Sequence, residues 1–196
     1  MNRVAEVNRK TNETTVKVQI DLDGQGSVNV ATGVGFFDHM LEQLGRHSGF
    51  DLEVKADGDL HIDSHHTVED VGIVLGEALT EALGEKQGIR RYGWSILAME
   101  EALVQVALDL SGRPHLAFNV GKLAEAIGNY DPDLTEEFFV ALSRSAGITL
   151  HINQLAGRNP HHIVEAVFKG VAVALGHATE INPSRGGRIP STKGTL

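Results

Sequence analysis

Glu13-Thr14-Thr15-Val16-Lys17-Val18-Gln19-Ile20-Asp21-Leu22-Asp23-Gly24 returns 88 residues later as Glu101-Ala102-Leu103-Val104-Gln105-Val106-Ala107-Leu108-Asp109-Leu110-Ser111-Gly112. Glu, Val, Val, Asp, Leu and Gly coincide, and Ile20 meets Leu108. Both segments alternate with the period of two that a half-buried strand requires, and both end at a glycine turn. Working outward, Leu44, Arg46 and Gly49 match Leu142, Arg144 and Gly147 at a shift of 98. His65, His66 and Glu69 match His161, His162 and Glu165 at a shift of 96, and Ala78, Leu79 and Ala82 then fall on Ala174, Leu175 and Ala178. The order is kept, and the shift drifts only as loop lengths would make it. The chain is a tandem duplication of a unit of about 90 residues.

Each unit reads as strand, strand, helix, strand, helix. Apolar spacing predicts helices over 37–46 and 137–144, and longer ones rich in Ala, Leu and Val over 68–83 and 163–179. Alternation predicts strands over 50–56, 59–62 and 148–152. Strands followed by helices, without regular strand–helix–strand alternation, predict an α+β fold with helices packed on one face of a mixed sheet in each half. The join falls within 84–93, so the halves are 1–92 and 93–180, packed as one domain, and 181–196 is a tail.

Among 196 residues, 17 are basic and 26 acidic, giving a net charge of −9. The tail holds Arg185, Arg188 and Lys193 and no acid, so it carries +3 and the rest of the chain −12. A basic strap on an acidic body suits an anion such as phosphate. The acidic balance argues against a nucleic-acid partner. The apolar content excludes a disordered chain, and the absence of cysteine excludes disulfides, thiolate zinc sites and iron–sulfur clusters. With no apolar leader segment and no run of bilayer length, the sequence reads as a cytoplasmic protein with no membrane partner.

The chemistry concentrates in the histidines. Asp63-Ser64-His65-His66-Thr67-Val68-Glu69-Asp70 puts two adjacent histidines at the start of a helix, and Glu69 can sit beside either of them. Adjacent helical residues diverge by about 100°, too far for an ordinary single-metal chelate, so two neighbouring metals, or one metal shared with another element, would use both rings. Asn159-Pro160-His161-His162-Ile163-Val164-Glu165 repeats the pattern. A lone His pair often caps a helix; two copies in duplicated places point to a dinuclear nitrogen–oxygen site. That donor set suits Mn, Fe, Co, Ni or Zn over Mg or Ca. The spacing differs from the His-Glu-x-x-His pattern of zinc peptidases. His39 reads equally as a ligand or as a buried, satisfied residue, while His61, His115, His151 and His177 read as structural.

The signatures Gly-Phe-Phe-Asp-His-Met-Leu-Glu-Gln-Leu (35–44), Asp-Ser-His-His-Thr-Val-Glu-Asp (63–70), Asp-Leu-Ser-Gly-Arg-Pro (109–114), Asn-Pro-His-His-Ile-Val-Glu-Ala (159–166) and Pro-Ser-Thr-Lys-Gly (190–194) together resemble the imidazoleglycerol-phosphate dehydratase family of histidine biosynthesis. The resemblance covers essentially the whole chain. It implies a homo-oligomer of about 24 subunits with closed symmetry, and two manganese ions per site, built between subunits. It makes ligands of His39, His65, His66, Glu69, His161, His162 and Glu165. It assigns Glu13, Gln43, His47 and Lys169 to substrate contact, and Arg91, Arg113, Ser191 and Lys193 to substrate or phosphate contact. Many family members carry His where this chain has Glu137. The shift of 98 sets Glu137 opposite His39, which adds it to the candidate ligands.

The implied reaction removes a hydroxyl beside an imidazole ring and a proton from the next carbon, yielding imidazole-acetol phosphate. That proton is not acidic, because no carbonyl adjoins it. Two metals on the ring nitrogens would favour the imidazolate, whose electrons can expel the hydroxyl to give a diazafulvene-like intermediate. A carboxylate then takes the proton; Glu13 is the candidate base, with the metal-ligating Glu69 and Glu165 completing the catalytic set. Two other readings use the same motifs: a dinuclear metal-dependent hydrolase of a phosphorylated small molecule, and a non-enzymatic metal-binding protein.

Overall fold

The structure, a computed structural model, describes residues 3–123 and 126–196. The first half runs β1 (Val4–Lys10), β2 (Thr14–Asp21), β3 (Val28–Ala31), α1 (Gly35–Ser48), β4 (Asp51–Gly58) and α2 (His65–Leu83). The second runs β5 (Tyr92–Met99), β6 (Ala102–Asp109), β7 (His115–Asn119), α3 (Leu134–Ala146), β8 (Thr149–Ala156) and α4 (Pro160–Thr179). Each half builds a four-stranded sheet of the same order, β1-β2-β4-β3 and β5-β6-β8-β7. In both, the third strand runs parallel to the fourth and the other pairs are antiparallel. The shifts survive in space: β2 and β6 are 88 residues apart, β4 and β8 98, and the ends of α2 and α4 96.

Two expectations are corrected. Each half contains one strand more than the sequence outline, β3 and β7. These have four and five residues, too few to show a period, and their parallel pairing with β4 and β8 makes each half contain one strand–helix–strand crossover. Residues 59–62 form no strand. Pairing ends where β2 begins, at Thr14 opposite Gly58, and beyond it the backbone turns, with Leu60 N–H donating to Gly58 O and Ile62 N–H to Asp59 O.

The inward rows of the strands, Val16, Val18 and Ile20 on β2 and Val104, Val106 and Leu108 on β6, are buried beneath the helices. α2 lies along α3 and α1 along α4, so the helices of the two halves pack against one another between the sheets. The close approach depends on small residues. A Cβ on Gly72 would stand 2.8 Å from Phe138 O, and one on Gly76 2.9 Å from the Ala146 nitrogen. Phe37, Phe138, Phe139 and Phe168, all fully buried, form an aromatic core across α1, α3 and α4, and Tyr130 stacks on Phe37. Phe36 meets His161 edge-on with ring centres 5.0 Å apart, carrying this core up to the site.

Candidate metal centre

Where α1 passes α4, one side chain from the first half meets two from the second. His39 stands one turn into α1. His161 and Glu165 are one turn apart on α4, whose start is set by Asn159 accepting from the His161 N–H and by Pro160 in the first turn. The donor atoms of His39, His161 and Glu165 all lie within 4.8 Å of one another, the one such group of three among the described residues. Glu165 Oε2 is 3.1 Å from His161 Nε2 and 3.7 Å from His39 Nε2. Burial pushes the Glu165 carboxyl up, but Lys169 Nζ at 2.6 Å from Oε1 more than reverses this and leaves it below its ordinary range. Two imidazoles and a carboxylate around one point form a donor set that fits a borderline divalent cation. A chain of contacts leads away from it: His39 Nδ1 is 3.4 Å from Gln43 Nε2, and Gln43 Oε1 is 3.2 Å from His47 Nε2. Burial, followed by the Lys169 charge, lowers the His47 pKa.

The first-half motif begins α2 in the same way, with Asp63 Oδ1 accepting from the His65 N–H as Asn159 does for His161. His66 Nδ1 is 2.9 Å from Asp59 Oδ2, and this contact raises the His66 pKa. Glu13 is brought to the same place by its neighbour. Thr14 donates its hydroxyl to buried Asp70 on α2, Arg9 pairs with the same carboxylate, and exposed Glu13 ends 3.9 Å from His66 Nδ1. His65 lines an open cavity of about 440 Å³ with Tyr130 and Leu134, and Glu69 is half-buried on α2. In the second copy His162 Nδ1 is 2.7 Å from Glu101 Oε2. That contact and the Asn159 N–H hold the Glu101 carboxyl down to about 2.

The fold thus gathers His39, His161 and Glu165 and leaves His65, His66 and Glu69 outside that group. Glu137 lies on the wall of another cavity, of about 380 Å³, with Phe118, Ile163 and Val167. Arg91, held at a left-handed φ of 75°, spends three donors internally: two go to Asp109, at 2.7 and 3.0 Å, and one to Pro190 O at 2.8 Å. It clasps the tail to β6. With Ser191, Arg185 and Arg188 it lines an open basic cavity of about 570 Å³. Arg113 and Lys193 are exposed, Arg113 reaching Ser111 O and Lys193 donating its backbone N–H to Ser191 Oγ. Sequence reasoning passed over Asp59 and Glu101 as partners of the histidines. For Glu101 a signal existed, its coincidence with Glu13 in the repeat; for Asp59 there was none.

The model of the family described as imidazoleglycerol-phosphate dehydratase matches residues 32–175. The imidazoleglycerol-phosphate dehydratase of Paracoccus denitrificans is 58% identical over 194 residues, covering 99% of this chain and all of that protein. That of Sinorhizobium fredii is 54% identical over 196 residues, covering 100% and 97%. Among solved structures, imidazoleglycerol-phosphate dehydratase from Staphylococcus aureus superposes with a TM-score of 0.83 at 39% identity, covering 91% of this chain and 99% of that one. The Pyrococcus furiosus enzyme in complex with (S)-C348 gives the same score and identity over 97% and 100%.

Proposed function

The chain belongs to the imidazoleglycerol-phosphate dehydratase family, and from that premise we propose how its residues carry out the dehydration of imidazoleglycerol phosphate to imidazole-acetol phosphate. It is a hydro-lyase of histidine biosynthesis and belongs to a metal-dependent family. The observation that carries the mechanistic reading is the meeting of His39, His161 and Glu165 in a chain that carries a second His-His-x-x-Glu motif elsewhere. The gathered group fits manganese, and two ions per site, the second held by His65, His66, His162, Glu69 and Glu137 in some division, would use the whole donor set. When bound, they would act as Lewis acids and as a template at the substrate's imidazole.

The chain's own residues do the rest. Glu13, exposed beside the His66 motif, takes the proton from the carbon next to the one that loses its hydroxyl. The carbon–oxygen and carbon–hydrogen bonds break, water leaves, and the enol that remains becomes the ketone. Gln43, His47 and Lys169 line the way out from His39 and meet the substrate's polar groups. Arg113, Ser191 and Lys193 hold the phosphate, with Arg91 closing the tail over it through Pro190. The protein works as a homo-oligomer, and the exposed Tyr92, Trp94 and Ile96 along one strand offer an apolar surface for a second copy. No helix of the described residues is long and apolar enough to cross a membrane. The test is incubation with imidazoleglycerol phosphate and Mn²⁺: an enolisable ketone forms with no inorganic phosphate released. Phosphate release without the ketone would instead identify a metal-dependent hydrolase.

A further inference from the structure

In both copies of the repeated motif the second histidine turns Nδ1 onto a carboxylate: His66 onto Asp59 at 2.9 Å, His162 onto Glu101 at 2.7 Å. These carboxylates do not correspond in the duplication. Glu101 corresponds to Glu13, and the place that follows β8 as Asp59 follows β4 is Gly157, which has no side chain to offer. The two halves therefore make the same contact from different positions in the chain. An ionised carboxylate only accepts hydrogen bonds, so in the neutral ring the hydrogen sits on Nδ1 and Nε2 keeps its lone pair. That is the tautomer an imidazole needs to bind a cation through Nε2.

We propose that Asp59 and Glu101 are positioning residues, each fixing the tautomer and ring orientation of the second histidine of its motif for metal binding through Nε2. The inference rests on the metal reading given above. It also accounts for a difference between the halves. In the second half Glu101 divides its oxygens, Oε2 on His162 and Oε1 on the Asn159 and Arg158 N–H groups at 2.8 and 3.2 Å. In the first half Asp59 occupies the ring nitrogen, and Glu13 is left beyond hydrogen-bond range at 3.9 Å, free to meet substrate.

The two carboxylates respond differently to amide substitution. In Glu101→Gln the single oxygen stays on the two backbone donors, so the new NH₂ faces His162 Nδ1 and forces the hydrogen to Nε2. Asp59 Oδ1 is buried with no partner among the described residues, so Asp59→Asn can place its NH₂ there and keep an oxygen on His66. Histidine ¹⁵N spectra of the metal-free protein and Mn²⁺ titration followed by electron paramagnetic resonance test this in Glu101→Gln, Asp59→Asn, Asp59→Ala and His162→Ala. Glu101→Gln and Asp59→Ala are expected to weaken Mn²⁺ about 10- to 100-fold, with the His162 tautomer inverted in the former, and Asp59→Asn to stay nearer the parent than Asp59→Ala. An unchanged His162 tautomer and unchanged Mn²⁺ affinity in Glu101→Gln, with binding reduced in His162→Ala, overturns the positioning role alone. Full-strength binding in His162→Ala overturns the metal reading, and the positioning role with it.

Discussion

Glu13 and Glu137 are the two residues whose proposed roles single substitutions test most directly. Glu13 is exposed, tied through Thr14 to Asp70, and held near His66 without bonding it. Glu13→Gln is expected to lower turnover strongly while Mn²⁺ content stays unchanged, because the amide cannot take a proton but removes no metal ligand. Near-parent turnover would remove it as the base. Glu137 is opposite His39 in the repeat, yet the fold turns it to a cavity wall away from His39, His161 and Glu165. As a ligand reaching a metal completed by another copy, it makes three outcomes expected: Glu137→Ala loses or sharply weakens one metal per chain, Glu137→His keeps activity, and Glu136→Ala does neither. Tight, full occupancy in Glu137→Ala would return it to the role of an acid in a helix first turn.

At the scale of elements, the approach of α4 to β5 depends on Gly93, where a Cβ would stand 1.8 Å from Ala174 O. The rigid partner is backbone, so Gly93→Ala must move helix or strand. A loss of roughly 1–3 kcal/mol in denaturant unfolding is expected, and an unchanged midpoint would show that the helix can move freely. The loop between β2 and β3 is tied by Asp51 Oδ1, which accepts from the Gln25 and Ser27 N–H groups at 2.8 Å each and is held below the ordinary carboxyl range by them. A carboxyl depressed on folding contributes stability that is full above its unfolded pKa and is lost as pH falls through the folded one. Asp51→Asn is therefore expected to be less stable than the parent near neutral pH, with the gap closing below about pH 4. Denaturation midpoints across that range check it; a gap that does not change with pH would mean that the carboxylate charge is irrelevant. The corresponding residue of the second half, Thr149, ties its loop by donating to Arg113 O, so no such acid sensitivity resides there.

For the whole molecule, the proposed assembly would make up a shortage of gathered ligands within one chain. One chain closes one three-donor group across its two halves and leaves His65, His66 and Glu69 outside it. Completion by neighbouring copies, as proposed, would link metal binding to oligomer size. Chelation is expected to yield smaller, inactive particles, and Mn²⁺ to restore the larger ones. Light scattering through a chelator titration measures this, and a constant mass would break the link.

The duplication, the α+β class, the four helices, the paired His-His-x-x-Glu motifs and the family were all legible in the sequence. Each rests on local periodicity or on residue identities that repeat along the chain. The short parallel strands β3 and β7 were not, since four or five residues show no period and exist as strands only by pairing with β4 and β8. Nor could spacing reveal that His39 joins His161 and Glu165, residues more than 120 positions away. Their meeting depends on how α1 packs along α4. The same holds for Asp59 on His66 and Glu101 on His162, two unlike positions brought to one contact. Sequence determines which side chains are present and which local element each occupies. Which of them share a few ångströms is decided by the packing of helices between the two sheets, because only burial of both apolar faces fixes the long-range distances.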